Sequence, residues 1–162
     1  MSNIILLAED FEDDIAHLQL VFKRVGVANP VVIVRDGDEV ISYIEGQGQF
    51  SDRLKYPFPG ILLLDLKMPR VGGFEVLEWL RLRPPAENML IVILTGNDGI
   101  WEMKRAYGLG AHSFLVKPCH PEDIINLWKS FPGHWKFESE PVIPLTPPGG
   151  GGTMLFSPAS PD

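Results

Sequence analysis

The chain has 162 residues, a formal net charge of -7 and 45% apolar side chains, enough for one domain with a proper core plus an extension. It carries no Lys/Arg run, so it lacks the concentrated positive charge that nonspecific nucleic-acid or anionic-membrane binding needs, and no apolar stretch approaches the roughly 20 residues that span a bilayer. A lone Cys119 excludes an internal disulfide; with Met1-Ser2-Asn3 running straight into a strand, the expectation is a cytoplasmic protein that binds neither nucleic acid nor membrane.

The first predicted strand, residues 4–8, is an apolar run that stops at Glu9-Asp10. A helix follows from about Asp13, with Ile15, Leu18, Phe22 and Val25 at near-helical spacing, Asp13 or Asp14 as N-cap and Gly26 past its end. Residues 31–34 form the second strand. Asp36-Gly37 then turns the chain into a helix whose inner face is Val40, Ile41 and Ile44, fading at Gly46. Residues 46–60 are longer than most helix-to-strand connections and read as an insertion. The third strand, residues 61–64, ends in Asp65.

The third helix begins near Gly73 or Phe74, buries Phe74, Leu77 and Leu80, and is stopped by Pro84-Pro85. The fourth strand, residues 90–94, closes on Thr95. A less clearly amphipathic helix over about 98–107 ends at Gly108 and Gly110, before a fifth strand at 113–116 that runs into Lys117. Pro121 opens the fifth helix, with Ile124, Ile125, Leu127 and Trp128 inward and Pro132-Gly133 at its end. From residue 141 on, ten of 22 residues are Pro or Gly, a composition that buries too little apolar surface to offset ordering. The expected division is a folded domain over 1–137 and a flexible tail over 138–162.

Alternating strands and helices predict an α/β fold with a parallel sheet covered on both faces. In such a sheet the strand ends share one edge, where doubly wound folds place their sites. Glu9, Asp10 and Asp65 offer the oxygen ligands that Mg²⁺ prefers, and crowded carboxylates need a metal or a proton to relieve their repulsion. Asp65 is then the candidate nucleophile toward a phosphoryl group, with Lys117 neutralising its charge, Thr95 offering a hydroxyl and the Lys67 carbonyl completing the metal ligands. The plainer readings are a capping role for Glu9-Asp10 and an edge role for Lys117.

Five segments in order, Leu7-Ala8-Glu9-Asp10, Arg35-Asp36-Gly37-Asp38-Glu39, Leu63-Leu64-Asp65-Leu66-Lys67-Met68-Pro69 with Gly72-Gly73, Ile93-Leu94-Thr95-Gly96 and Leu115-Val116-Lys117-Pro118, resemble the receiver domain of two-component response regulators over about residues 3–132. The resemblance implies a flavodoxin-like five-stranded sheet of order 2-1-3-4-5 with five helices. It also implies a phosphoacceptor switch rather than an enzyme, which catalyses its own phosphotransfer and autodephosphorylation. Asp65 would take a phosphoryl group from a histidine kinase or phosphotransfer protein. Glu9, Asp10, Asp65 and the Lys67 carbonyl would arrange Mg²⁺, Thr95 and Lys117 would hold the phosphoryl oxygens, and Thr95 with Phe114 would form the switch. The Lys117-Pro118 bond resembles the family's cis peptide.

The long connection before the third strand and the aromatics Trp128, Phe131 and Trp135 are similar to single-domain regulators that partner phytochrome-type kinases, so a bacteriophytochrome is the implied kinase. The resemblance also implies kinase specificity around His17, Leu18, Val21 and Phe22 of the first helix with the loop after the fifth strand, and a homodimer is expected through the fourth helix, fifth strand and fifth helix. Glu9 stands where many members have Asp, and Lys67 and Asn97 occupy variable positions. The alternatives are a phosphorylation-independent pseudo-receiver that only binds partners, and a haloacid-dehalogenase-type phosphatase. The latter wants a second Asp at the position of Lys67.

Overall fold

Apolar runs of four to six residues, buried along their whole length, build the centre of the sheet: β1 (Ile5–Ala8), β3 (Ile61–Asp65) and β4 (Leu90–Thr95). Strands that lack polar alternation fit only where both faces are covered, as in a parallel sheet. With β2 (Val31–Val34) and β5 (Ser113–Val116) at the edges, the sheet is five-stranded, parallel and ordered β2-β1-β3-β4-β5. The computed structural model describes residues 2–83, 88–96 and 99–139. Pro84-Pro85, Asn97, the expected start of the fourth helix at residue 98, and the tail from residue 140 lie outside them.

Side chains alternate across the sheet with the two-residue period of a strand. Ile5, Leu7, Ile61 and Leu63 face α1 (Glu12–Val25) and α5 (Pro121–Ser130), packing on Ile15, Leu18, Phe22, Ile124 and Leu127. Leu6, Ala8, Leu62 and Leu64 face α2 (Gly37–Glu45), α3 (Gly73–Arg81) and α4 (Ile100–Gly108), packing on Val40, Tyr43, Leu77 and Ala106. The expected fold class is the one observed.

Several local expectations need correction. The N-cap of α1 is Phe11, without a side-chain cap; Asp13 and Asp14 lie inside the first turn, where the positive end of the helix dipole favours them. In α2, Tyr43 is buried and Ile41 only half-buried, and in α3 Val76 is buried while Phe74 is half-buried. Residues 46–60 are ordered by Arg53, which donates from Nη1 to the carbonyls of Tyr43 and Tyr56 and from Nη2 to that of Ile44. Two of these acceptors belong to the last turn of α2, whose carbonyls have no partner within the helix. A short 3-10 helix (Gly48–Phe50) brings Phe50 against Tyr43 and Tyr56.

Past α5 the chain returns along the α1–β2 connection. Val27 and Phe137 form an antiparallel bridge, the Ala28 N–H donates to the Lys136 carbonyl at 2.8 Å and the Glu138 N–H to that of Gly26 at 2.8 Å. Trp135 is buried edge-on to Phe22. Among the described residues no helix is long and apolar enough to cross a membrane.

Candidate functional site at the C-terminal edge of the sheet

Parallel pairing sets the site. Ala8 is opposite Leu64, Asp65 opposite Leu94 and Thr95 opposite Val116, so the chain leaves β1, β3, β4 and β5 at one level with Glu9, Asp65, Thr95 and Lys117 gathered there. The Lys117 ammonium donates to three carboxylates: Glu9 Oε2 at 2.7 Å, Asp65 Oδ2 at 2.9 Å and Asp14 Oδ2 at 3.0 Å. Its backbone N–H donates to the Thr95 carbonyl at 2.7 Å, and the Lys117-Pro118 peptide is cis. Glu9, Asp65 and Thr95 are buried and Asp10 is exposed.

Burial, reinforced by neighbouring Asp65, pushes the Glu9 carboxyl up to about 7, against the opposing hydrogen bonds from Lys117 and the Phe11 N–H. Burial alone would lower Lys117; its hydrogen bonds to Glu9, Asp65 and Asp14 outweigh that and raise it above its ordinary value. One oxygen each from Glu9, Asp10 and Asp65 lies within 4.8 Å of the others. An all-oxygen set of two buried carboxylates and one exposed one suits a hard dication, which keeps water on its open side.

The loop after Asp65 is held close to it by backbone contacts. Lys67 donates its N–H to Asp65 Oδ1 at 2.8 Å, and the Gly73 N–H donates to the Leu66 carbonyl at 3.2 Å. A Cβ on Gly73 would stand 2.5 Å from the Asp65 carbonyl oxygen, so only glycine lets α3 start there. Gly37 makes a similar approach, 2.5 Å from its would-be Cβ to the Val71 carbonyl oxygen, and thereby fixes the loop against the start of α2.

The structure brings the side chains of Glu9, Asp10, Asp65 and Lys117 together, sets Thr95 on the neighbouring strand end, and adds Asp14. A cue lay in the helix pattern: Asp14 precedes inward-facing Ile15, and first-turn side chains lean toward the helix N-terminus, over the strand ends. Phe114 is half-buried, with its ring 4.8 Å from that of Tyr107 on α4. The expected kinase contact on α1 is corrected in part. Leu18, Val21 and Phe22 are core residues, whereas His17 and Leu20 are exposed, and His17 Nε2 lies 2.8 Å from the Cys119 carbonyl.

A five-stranded doubly wound sheet with an acid pair, an aspartate, a threonine and a lysine on successive strand ends defines the class, and comparison with known proteins agrees. Residues 5–129 match the response regulator receiver domain, and the chain belongs to that family, whose members act in two-component signalling with histidine kinases. It is 27% identical over 132 residues to response regulator Rcp1 of Synechocystis sp., covering 82% of this chain and 88% of Rcp1. The bacteriophytochrome response regulator RtBRR is 31% identical with a TM-score of 0.75, covering 92% of this chain and 86% of its own. Response regulator RPA3017, described in red light signaling of R. palustris, is 31% identical with a TM-score of 0.73, covering 84% and 98%. The Mn²⁺-bound form of Rcp1 has a TM-score of 0.66 at 28% identity, covering 79% and 92%.

Proposed function

We propose that this receiver accepts a phosphoryl group on Asp65 from the phosphohistidine of a sensor kinase or phosphotransfer protein, in a Mg²⁺-dependent reaction, and so switches a protein-interaction surface. The observation that carries the reading is the Lys117 ammonium seated on Asp65 Oδ2 beside a three-carboxylate cluster. An Asp65 oxygen attacks phosphorus, the N–P bond of the donor breaks as the O–P bond forms, and the departing imidazole takes up a proton. Mg²⁺ held by Glu9, Asp10, Asp65 and the Lys67 carbonyl would supply charge neutralisation at the phosphoryl oxygens. Lys117 and the Thr95 hydroxyl hold the remaining oxygens, and the same groups later position water for autodephosphorylation.

Thr95 and Phe114 carry the signal outward: as the hydroxyl turns to the phosphoryl group, Phe114 turns inward and α4 and β5 change their arrangement. Exposed Ile100 and Trp101 on α4 and Val116 on β5 support an output or homodimer surface formed with α5. The likeness to RtBRR and to RPA3017 supports a bacteriophytochrome as the kinase. The presence of the full set of carboxylates, hydroxyl and ammonium favours this reading over a phosphorylation-independent pseudo-receiver. Incubation with acetyl phosphate and Mg²⁺ should retard wild type on a phosphate-affinity gel and leave Asp65→Asn and the EDTA-treated protein unshifted; an equal shift in Asp65→Asn would overturn the assignment.

A further inference from the structure

All three protons of the Lys117 ammonium are committed to carboxylates, and two of the acceptors, Glu9 and Asp65, also belong to the cluster suited to a dication. Cation and ammonium therefore draw on the same two carboxylates. Asp14 is the acceptor outside that cluster. It sits on α1 rather than on the strand edge, and its side chain is 34% exposed, against 1% for Glu9 and 7% for Asp65. Beside it a small cleft of about 20 Å³ is lined by Leu7, Glu9, Asp14, His17, Leu94 and Lys117, among others, which leaves the ammonium room to shift toward α1.

We propose that Asp14 is a positioning residue that retains the Lys117 ammonium when a dication takes up Glu9 and Asp65. The inference rests on the reading of Glu9, Asp10 and Asp65 as dication ligands. Without Asp14, an ammonium displaced from Glu9 and Asp65 is left partly buried with no partner, a cost subtracted from cation binding. With Asp14 the ammonium keeps one of its three carboxylate partners and remains beside Asp65, ready for a phosphoryl oxygen.

The test is Mg²⁺ titration of the unphosphorylated protein by calorimetry. Asp14→Asn, isosteric and partly exposed, should weaken Mg²⁺ binding about three- to five-fold, the scale of a partly exposed ion pair, and Asp14→Glu should recover most of the loss. In a Lys117→Met background the same Asp14→Asn change should cost less than roughly two-fold, because no ammonium needs a home. Asp14→Ala supplies the same comparison should the asparagine amide find a new partner. Equal Mg²⁺ affinity in wild type and Asp14→Asn, or an undiminished loss in the Lys117→Met background, overturns the inference while leaving the receiver reading intact. No Mg²⁺ binding by wild type overturns both.

Discussion

Arg70, at a left-handed φ of 63°, reaches from the loop after β3 to the carboxylate of Asp36, whose other oxygen caps α2 by accepting from the Glu39 N–H at 2.8 Å. One buried carboxylate thus joins the segment that follows the candidate phosphoacceptor to the second helix. Asp36→Ala should cost about 1–3 kcal/mol, from the lost cap and the stranded N–H. Asp36→Asn keeps the cap oxygen and gives up only the pair with exposed Arg70, so it should cost less. Urea midpoints that are equal for the two variants would contradict this division.

Gly73 is constrained by space rather than by φ. An added Cβ would meet the Asp65 carbonyl oxygen at 2.5 Å and the Leu66 Cα at 2.8 Å, both backbone atoms of a central strand end. Gly73→Ala should lose about 1–3 kcal/mol, as other overpacked sites do, and should impair Asp65 labelling. Gly110→Ala, with open space around it but a φ of 102°, should lose stability and keep labelling.

His112 accepts the Ile91 N–H at Nδ1 across 3.0 Å, which requires that nitrogen to be unprotonated. Burial, aided by the nearby His134, lowers its pKa from the ordinary 6.5. The unfolded chain then binds this proton more readily than the folded one, so the contribution is complete above about pH 6.5 and is lost as pH falls below it. His112→Asn retains an acceptor and does not titrate. Unfolding free energies at pH 7.5 and pH 5 should therefore fall further for wild type than for His112→Asn, and parallel declines would exclude the effect.

Cys119 is buried, and burial together with Asp123 and Glu122 pushes its thiol up to about 12. The thiolate is the reactive form. Iodoacetamide at pH 8 should leave the native protein unmodified and alkylate it in urea; rapid native alkylation would show that the α1–β5 side of the sheet opens readily.

Strand ends were legible in the sequence because each apolar run stops at a charged or hydroxyl residue, and parallel order then fixes their common edge. Glu9, Asp65, Thr95 and Lys117 needed nothing more. Pairings across long separations left no such mark. Asp36 and Arg70 are joined only when two loops meet, and Arg53 looks like a surface cation until its guanidinium is seen on the last carbonyls of α2. Asp14 read as a helix cap because an acidic residue near a helix start has two uses, and only the position of Lys117 decides between them. Leu18 and Phe22 illustrate the opposite error: their spacing already marked a buried stripe, so they were poor candidates for a docking face.

In the proposed reaction the Asp65 carboxylate forms a bond to phosphorus. The direct measurement is borohydride trapping after acetyl phosphate and Mg²⁺ treatment, followed by peptide mass spectrometry, since an acyl phosphate is reduced where an unmodified carboxylate is not. Reduction confined to Asp65, and lost when Mg²⁺ is chelated, is the predicted result. Reduction at Asp10 or Asp14 instead, or none at any carboxylate while the protein remains folded, would contradict it.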